Sequence, residues 1–347
     1  MIDYIVVGLG LSGISFCENL KQNQKSFIVI DNGQNSASRV GSGLFNPIAL
    51  KRTKSVWRAQ ELMNLAIPFY NALEIDLGIR CLHKASILKI IQQTSDINDW
   101  HIASSKDDCK SYMKSNIVQN TNKAIIAPLG FGALINTGWV DTALLVERYS
   151  QSLKKKNILI ETVFDSNDLQ IAKNTVRYEN INAKHIVFTQ GVCLNTNPWF
   201  SFIPLQKTKG ELITIECEDL QEKSIINGGV FIIPVGDNIY RVGSTYNWRD
   251  RYEGPTISAR ISLQTKLNKI VYNRPYQIID QLAGFRPTTP DRRPIIGVHP
   301  KFPQLLICNG MGSRGVLQAP FCAGILLNHV EKGTPIPQEI NINRFKH

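Results

Sequence analysis

Three glycines at the spacing Gly8-x-Gly10-x-x-Gly13, followed by Asp31 21 positions after Gly10, form a set that could bind a dinucleotide. Gly8 permits a tight turn, Gly10 lets the backbone approach a pyrophosphate, and Gly13 allows a helix to pack closely on a strand. A helix N-terminus beside them offers free N–H groups to the anion. Asp31 stands where an acid accepts hydrogen bonds from a ribose hydroxyl. Its charge disfavours a 2′-phosphate, so NADP is not expected. A glycine-rich turn without a ligand would explain the glycines alone, but not their order with the elements around them. The β-branched run Tyr4-Ile5-Val6-Val7 reads as a buried parallel strand. Ile14, Cys17 and Leu20 then share one helical face, opposite Glu18, Asn19 and Lys21, and Phe27-Ile28-Val29-Ile30 forms a second strand ending at Asp31.

At 347 residues, with 43% hydrophobic and 19% charged residues, the chain has room for two globular domains. No basic and apolar export signal is visible, and no apolar run approaches the ~20 residues that span a bilayer. The seven cysteines are scattered and never in C-x-x-C spacing. They are expected to be reduced, mostly buried thiols of a cytoplasmic protein, with neither a disulfide framework nor a metal site. The net charge of +11 suits an anionic partner, nucleic acid included, or simply a basic soluble surface. Its local clusters are Lys51-Arg52-Thr53-Lys54 and Lys154-Lys155-Lys156.

After a polar loop from Asn32 to Ser42, helical spacing of Leu62, Leu65, Phe69, Leu73 and Leu77 predicts a helix from Val56 to Leu77, with those residues in the core. Short strands and turns are expected from Cys81 to Gly138, with a strand at 85–90 and a surface excursion after it. Trp139-Val140-Asp141 opens a helix capped by Asp141 and ending in lysines. Ile158 to Val163 and Ala183 to Gly191 read as strands, and Leu205 to Asn247 as antiparallel strands around a Gly236-Asp237-Asn238 turn. A helix is expected from Arg251 to Asn268. The chain returns at its end to a strand at Leu305-Leu306-Ile307, a glycine-rich turn and a last helix through Val330.

Two C-terminal runs are more specific: Gly284-Phe285-Arg286-Pro287-Thr288-Thr289-Pro290-Asp291-Arg292-Arg293-Pro294-Ile295-Ile296-Gly297 and Leu305-Leu306-Ile307-Cys308-Asn309-Gly310-Met311-Gly312-Ser313-Arg314-Gly315. Phe188-Thr189-Gln190-Gly191, Pro204 to Glu211 and Val242-Gly243-Ser244-Thr245 agree with them. Together with the N-terminal fingerprint, the whole chain resembles the FAD-dependent D-amino-acid oxidase/glycine oxidase superfamily. Sarcosine oxidases and the oxidase half of the bifunctional tRNA wobble-uridine enzyme also belong to it.

The resemblance implies an α/β fold, α+β in its second domain. A discontinuous Rossmann-type FAD-binding domain (1–80, 139–204 and 284–347) would be interleaved with an antiparallel-sheet substrate domain (81–138 and 205–283). It implies FAD, hydride transfer from a C–H beside a substrate nitrogen, and reoxidation by oxygen or an unknown acceptor. Carried over by position, Gly8, Gly10 and Gly13 would hold the pyrophosphate and Asp31 the adenosine ribose. Ser38, Arg39, Gly43 and Leu44 match the loop that passes the flavin, and Val163 the strand position at adenine. Gly191 closes its own motif in the cofactor set. Gly310, Met311, Gly312, Ser313, Arg314, Gly315 and Val316 match the turn at the flavin pyrimidine, where a simple helix cap is the competing explanation.

Arg286 matches the family arginine that pairs a substrate carboxylate bidentately; the alternative is an arginine holding an acidic loop. Arg314 is a second candidate, equally suited to a phosphate or a domain interface. Gly284 stands where sarcosine oxidases carry a flavin-bonding cysteine, so non-covalent FAD is expected. Phe231 replaces a glycine-oxidase tyrosine, and Gly43-Leu44-Phe45-Asn46-Pro47 looks closer to the tRNA-modifying oxidase.

Three functions follow. The first is oxidation of a C–N bond in a small amino acid or secondary amine bearing a carboxylate. The second is oxidative removal of a carboxymethyl group from carboxymethylaminomethyl-uridine in tRNA, with Lys51, Arg52, Lys54 and Arg58 among the phosphate contacts. The third is a flavin-binding subunit of a larger dehydrogenase.

Overall fold

The apolar runs of the sequence assemble into a sheet whose central strands are parallel. Its order is Leu159–Ile160, Phe27–Ile30, Ile2–Val7, Ile181–Phe188 and Leu305–Asn309, each strand parallel to its neighbours. Tyr4, Ile5 and Val6 of the central strand are fully buried, which is why that run shows no polar alternation. Short antiparallel strands complete the sheet: Leu169–Ile171 and Val176–Tyr178 beside Ile181–Phe188, and Ile295–Val298 beside Leu305–Asn309. This computed structural model describes residues 1–34 and 36–345; Asn35 of the expected polar loop, and Lys346 and His347 at the end of the expected FAD-binding segment, lie outside them.

The helices Leu11–Gln22, Ala59–Leu77, Thr142–Lys155 and Gly315–Lys332 share one hydrophobic core with the sheet. A second core, rich in aromatic rings, holds Phe188, Phe200 and Tyr178, with Trp199 packed on it. The second large sheet runs Gln277–Thr288, Gln206–Glu216, Ile239–Gly243, Phe231–Gly236, Ile225–Asn227, Ile87–Ile90, Phe131–Leu134 and Met113–Val118. Only the Ile225–Asn227 and Ile87–Ile90 neighbours are parallel. Leu263 and Leu267 of helix Ile257–Leu267 lie in its core. A small sheet joins Leu44–Phe45, Gly138–Val140 and Leu82–Lys84, and so takes strands from both sides of residues 80/81 and 138/139.

Several local expectations change. The stretch after Ile90 is a helix, Thr94–Ser104, held by a reciprocal Gln93/Asp96 capping box. Only Trp100, Ala103 and Ser104 of it are buried, too few to give a visible period. Trp139 and Val140 end a strand; the helix starts at Thr142, with the Asp141 side chain accepting from Leu144 N as expected of a cap. Leu65 is 47% exposed and lies outside the core. The helix expected from Arg251 begins only at Ile257, where Thr256 caps it through Ala259 N. The lysines at 154–156 close the helix Thr142–Lys155, where cations oppose its negative end, and Lys154 pairs with Glu161.

Gly132 is the place where the second sheet admits the ring of Trp100. A Cβ there would stand 2.4–2.6 Å from three ring atoms, and the ring is 1% exposed and tied by Nε1 to Lys114 O. Gly132→Ala therefore lowers stability by about 1–3 kcal/mol, the usual cost of overpacking, read as a lower thermal midpoint by circular dichroism.

Candidate active site

The site begins where the first strand ends. Gly8 has φ +98°, open to glycine, and its N–H donates to Ile30 O at 2.9 Å. Thr189, at the end of the neighbouring parallel strand, donates its hydroxyl to Gly8 O at 2.7 Å and Val7 O at 2.9 Å. A Cβ on Gly13 would lie 2.1 Å from Gly8 O, so the missing side chain brings the helix onto the turn. Gly10 caps that helix without a side chain; Ser38, from the short helix Ala37–Val40 within the expected polar loop, accepts from Leu11 N at 3.0 Å instead. Asp31 is already engaged: its carboxylate accepts from Leu9 N at 2.7 Å and Gly33 N at 2.9 Å, and so ties the glycine turn to the second strand. A carboxylate has about four lone-pair sites, which leaves capacity for a ribose.

These residues open onto a cleft of about 1410 Å³. Ordinary small-molecule pockets span ~300–1,000 Å³, so there is room for a dinucleotide and a further small molecule. Two helix N-termini face it. Gly10, Leu11 and Ser12 belong to one, and Arg314, Gly315 and Val316 to the other, helix Gly315–Lys332. First-turn N–H groups lack intrahelical partners and sit at the positive end of the dipole, the environment that a pyrophosphate or another anion needs. Gly43, at φ +67°, runs so close to Val140 that a Cβ would lie 1.8 Å from its carbonyl oxygen. The glycines and the two helix ends therefore fit a bound dinucleotide cofactor.

Arg286 lies on strand Gln277–Thr288, where Gly284 pairs with Gly210 of strand Gln206–Glu216. Arg286 is the diagonal neighbour of Gly210 on the same sheet face. A Cβ on Gly210 would meet the guanidinium at 2.2–2.4 Å, so the glycine forms the slot in which the arginine lies flat. The Arg286 guanidinium donates to Ser244 Oγ at 2.6 Å and Thr245 O at 3.4 Å, and sits 5.0 Å above the Tyr246 ring. It has no carboxylate partner among the described residues. The side chain of Arg314, also in the cleft wall, makes no hydrogen bond or ion pair among them. Burial pulls both guanidinium groups below the ordinary arginine range; Tyr246 opposes this at both, and Arg293 and Arg292 add to it at Arg314. Arginine stays protonated in proteins. Two cations thus face the cleft short of an anion.

The cleft mouth extends this imbalance. Lys51, Arg52, Lys54, Lys89, Arg292 and Arg293 also line it, against Asp31, Asp96 and Asp291. Those acids are occupied: Asp96 caps its helix and Asp291 pairs with Arg344.

Of the positions expected at the cofactor, Gly8, Gly10, Asp31, Ser38, Gly43, Leu44, Gly191, Met311, Gly312, Ser313, Arg314, Gly315 and Val316 line the cleft. Gly13 acts from behind it through packing. Arg39 and Gly310 lie outside the lining; Gly310, at φ +74°, shapes the turn instead. Val163 is 64% exposed and outside the cleft, because the strand stops at Ile160 and the chain turns there, Thr162 N donating to Ile160 O. Arg58 is also elsewhere, paired with Glu61 and Glu339. Gly210 and Ser244 fall in motifs that carry the resemblance but have no site role in the sequence analysis, and Cys193 has none either. Glycine inside a strand was the signal for Gly210.

The model of the family described as FAD dependent oxidoreductase (DAO) matches residues 3–328. The chain is 20% identical to the tRNA 5-methylaminomethyl-2-thiouridine biosynthesis bifunctional protein MnmC of Saccharophagus degradans, over 96% of this chain and 47% of that protein. It therefore spans about half the length of that relative. It is 21% identical to the glycine oxidase of Bacillus licheniformis, over 97% of this chain and 95% of that one. Among solved structures it resembles iminodiacetate oxidase from Chelativorans sp. BNC1, with a TM-score of 0.80, 18% identity and 97% of each chain covered. At that identity the likeness speaks for the fold.

Cys193 is the exposed member of the seven free cysteines and lines the cleft, while the other six are buried. Burial pushes the thiols of Cys81 and Cys308 up to about 12, which leaves almost no thiolate at pH 8. A thiol reagent at that pH is expected to label Cys193 promptly, and all seven only after denaturation. Cofactor in the cleft slows the Cys193 reaction.

Proposed function

The chain belongs to the family of FAD-dependent oxidoreductases and binds FAD, and we propose that it oxidises the C–N bond of a small amine carrying a carboxylate. The observation that supports this most is the Arg286 guanidinium, fixed over Gly210 by Ser244 and left without an acidic partner. A planar fork held at a sheet surface suits bidentate pairing with a carboxylate, and a lysine cannot copy that geometry. FAD supplies the ring that accepts a hydride when bound. The residues of the chain do the positioning: Arg286 fixes one end of the substrate, and the cleft walls orient the other. A neutral amine needs orientation more than a strong base for this reaction. Gly8, Gly10, Asp31 and the turn from Met311 to Val316 are the residues we assign to the cofactor.

The variant Arg286→Lys keeps the charge and loses the fork. It is expected to raise KM for a carboxylate-bearing amine roughly 10- to 100-fold, with a smaller change in kcat. KM for the corresponding uncharged amide should change little. Equal effects on acid and amide would show that Arg286 does not read the carboxylate.

A second reading places the same chemistry on a carboxymethylated amine attached to a nucleoside in tRNA. The cations Lys51, Arg52 and Lys54 at the cleft mouth favour it, as they are exposed and free of ion pairs among the described residues. Binding of tRNA that weakens steeply with salt, and flavin bleaching by modified tRNA but not by free amines, would select this reading over the first.

A further inference from the structure

Beside the cleft lies a smaller cavity of about 650 Å³, lined by Asn195, Leu205, Gln206, Lys207, Trp248 and Arg251. We propose that it binds a nucleotide unit, with the base against the Trp248 ring and the phosphate between Lys207 and Arg251. This deepens the second reading above and rests on the main cleft being the reaction site.

The loop that forms one wall is unusual in what it exposes. Tyr246 is 47%, Trp248 38% and Tyr252 65% exposed, with Arg249 and Arg251 interleaved. Large aromatic rings left in water beside cations mark a contact surface rather than a core. Alternating rings and cations are how proteins hold single-stranded nucleic acid: bases stack on the rings and phosphates meet the charges. Of the loop's two acids, Asp250 is paired with the buried Lys209 at 2.8 Å, and the exposed Glu253 lies beyond Arg251, outside the cavity lining.

The loop is also held by its own hydrogen bonds. Asn247 and Lys209 exchange backbone hydrogen bonds at 2.8 and 2.9 Å. The Asn247 side chain accepts from Arg249 N and Asp250 N, Asp250 accepts from Tyr252 N, and Arg251 donates to Lys207 O. Holding the rings in place beforehand lowers the ordering cost of stacking. The position matters as well. Trp248 packs edge-on against Tyr246 at 5.3 Å, and Tyr246 lies under Arg286. A nucleotide on Trp248 would therefore sit next to whatever occupies the Arg286 subsite, with the cleft-mouth cations left for further phosphates.

The test is binding, read independently of turnover. Fluorescein-labelled single-stranded RNA 10-mers and AMP would be titrated into the FAD-loaded protein at several salt concentrations. RNA binding is expected to weaken with salt, and Lys207→Ala to reduce the log–log slope by about 0.7, the loss of one phosphate contact. Trp248→Ala should cost about tenfold in affinity, whereas Trp248→Phe, which keeps a stacking face, retains most of it. That pair separates loss of the ring from misfolding. Tighter binding of RNA than of AMP identifies a strand as the source of the nucleotide; equal binding that still depends on Trp248 identifies a free nucleotide in the same pocket. Absence of binding by both at low salt, or affinities that Trp248→Ala leaves unchanged, overturns the proposal whatever amine the enzyme oxidises. Amine turnover without RNA binding would leave the first reading of function intact and remove this one.

Discussion

The long ladder between Gln206–Glu216 and Gln277–Thr288 holds the candidate site together. It pairs Gln206 with Thr288 at one end and Glu216 with Gln277 at the other, with a single irregularity between Thr214 and Ile215. Its register sets Gly210 and Arg286 as diagonal neighbours. A one-residue slip would turn Arg286 to the opposite face and fill its slot. The same strand leads out of the antiparallel sheet towards the cofactor side: Gly312 N donates to Pro287 O, and Thr288 bridges to Met311. The turn before the last helix is thereby fixed relative to the arginine. The proposed substrate anchor and the proposed cofactor cradle are thus tied by backbone hydrogen bonds, not only by side-chain contact.

Two kinds of charge meet along this ladder, and their environments explain their different roles. Lys209 is 1% exposed and fully compensated, paired with Asp250 and with Glu211, which in turn accepts from Thr256 and Gln281. Removing one partner from such a cluster leaves an uncompensated buried charge, so this network shapes the loop from Asn247 to Thr256. Arg286, on the adjacent strand, has hydroxyl and carbonyl hydrogen-bond partners only. A desolvated cation without an anion is costly unless a ligand completes it. The same reasoning applies to Arg314 at the helix N-terminus. Both point to an anionic ligand in the cleft.

The sequence was most legible where function depends on local spacing. The glycine fingerprint, Asp31 and the final glycine-rich turn occupy short stretches, and their geometry follows from backbone freedom within a few residues. Arg286 could be named by resemblance, but its slot could not, because Gly210 reaches it only through strand pairing. Val163 shows the limit of correspondence: the strand assumed to carry it ends at Ile160, so the position lies in a turn beyond the sheet. The helix Thr94–Ser104 stayed hidden because its buried face is three residues wide. The exposed rings from Tyr246 to Tyr252 gave no periodic signal at all, since they are ordered by the buried Lys209 pair and not by a regular element.

The central claim is that the cleft brings a carboxylate-bearing amine to FAD. The most direct measurement is the visible absorption spectrum of the purified protein, followed without oxygen while glycine, sarcosine and related amino acids are added. The account predicts flavin bands that bleach with such an amine and return when air is admitted or another acceptor is supplied. Flavin bands that no amine bleaches, whether free or attached to a nucleoside, would contradict it.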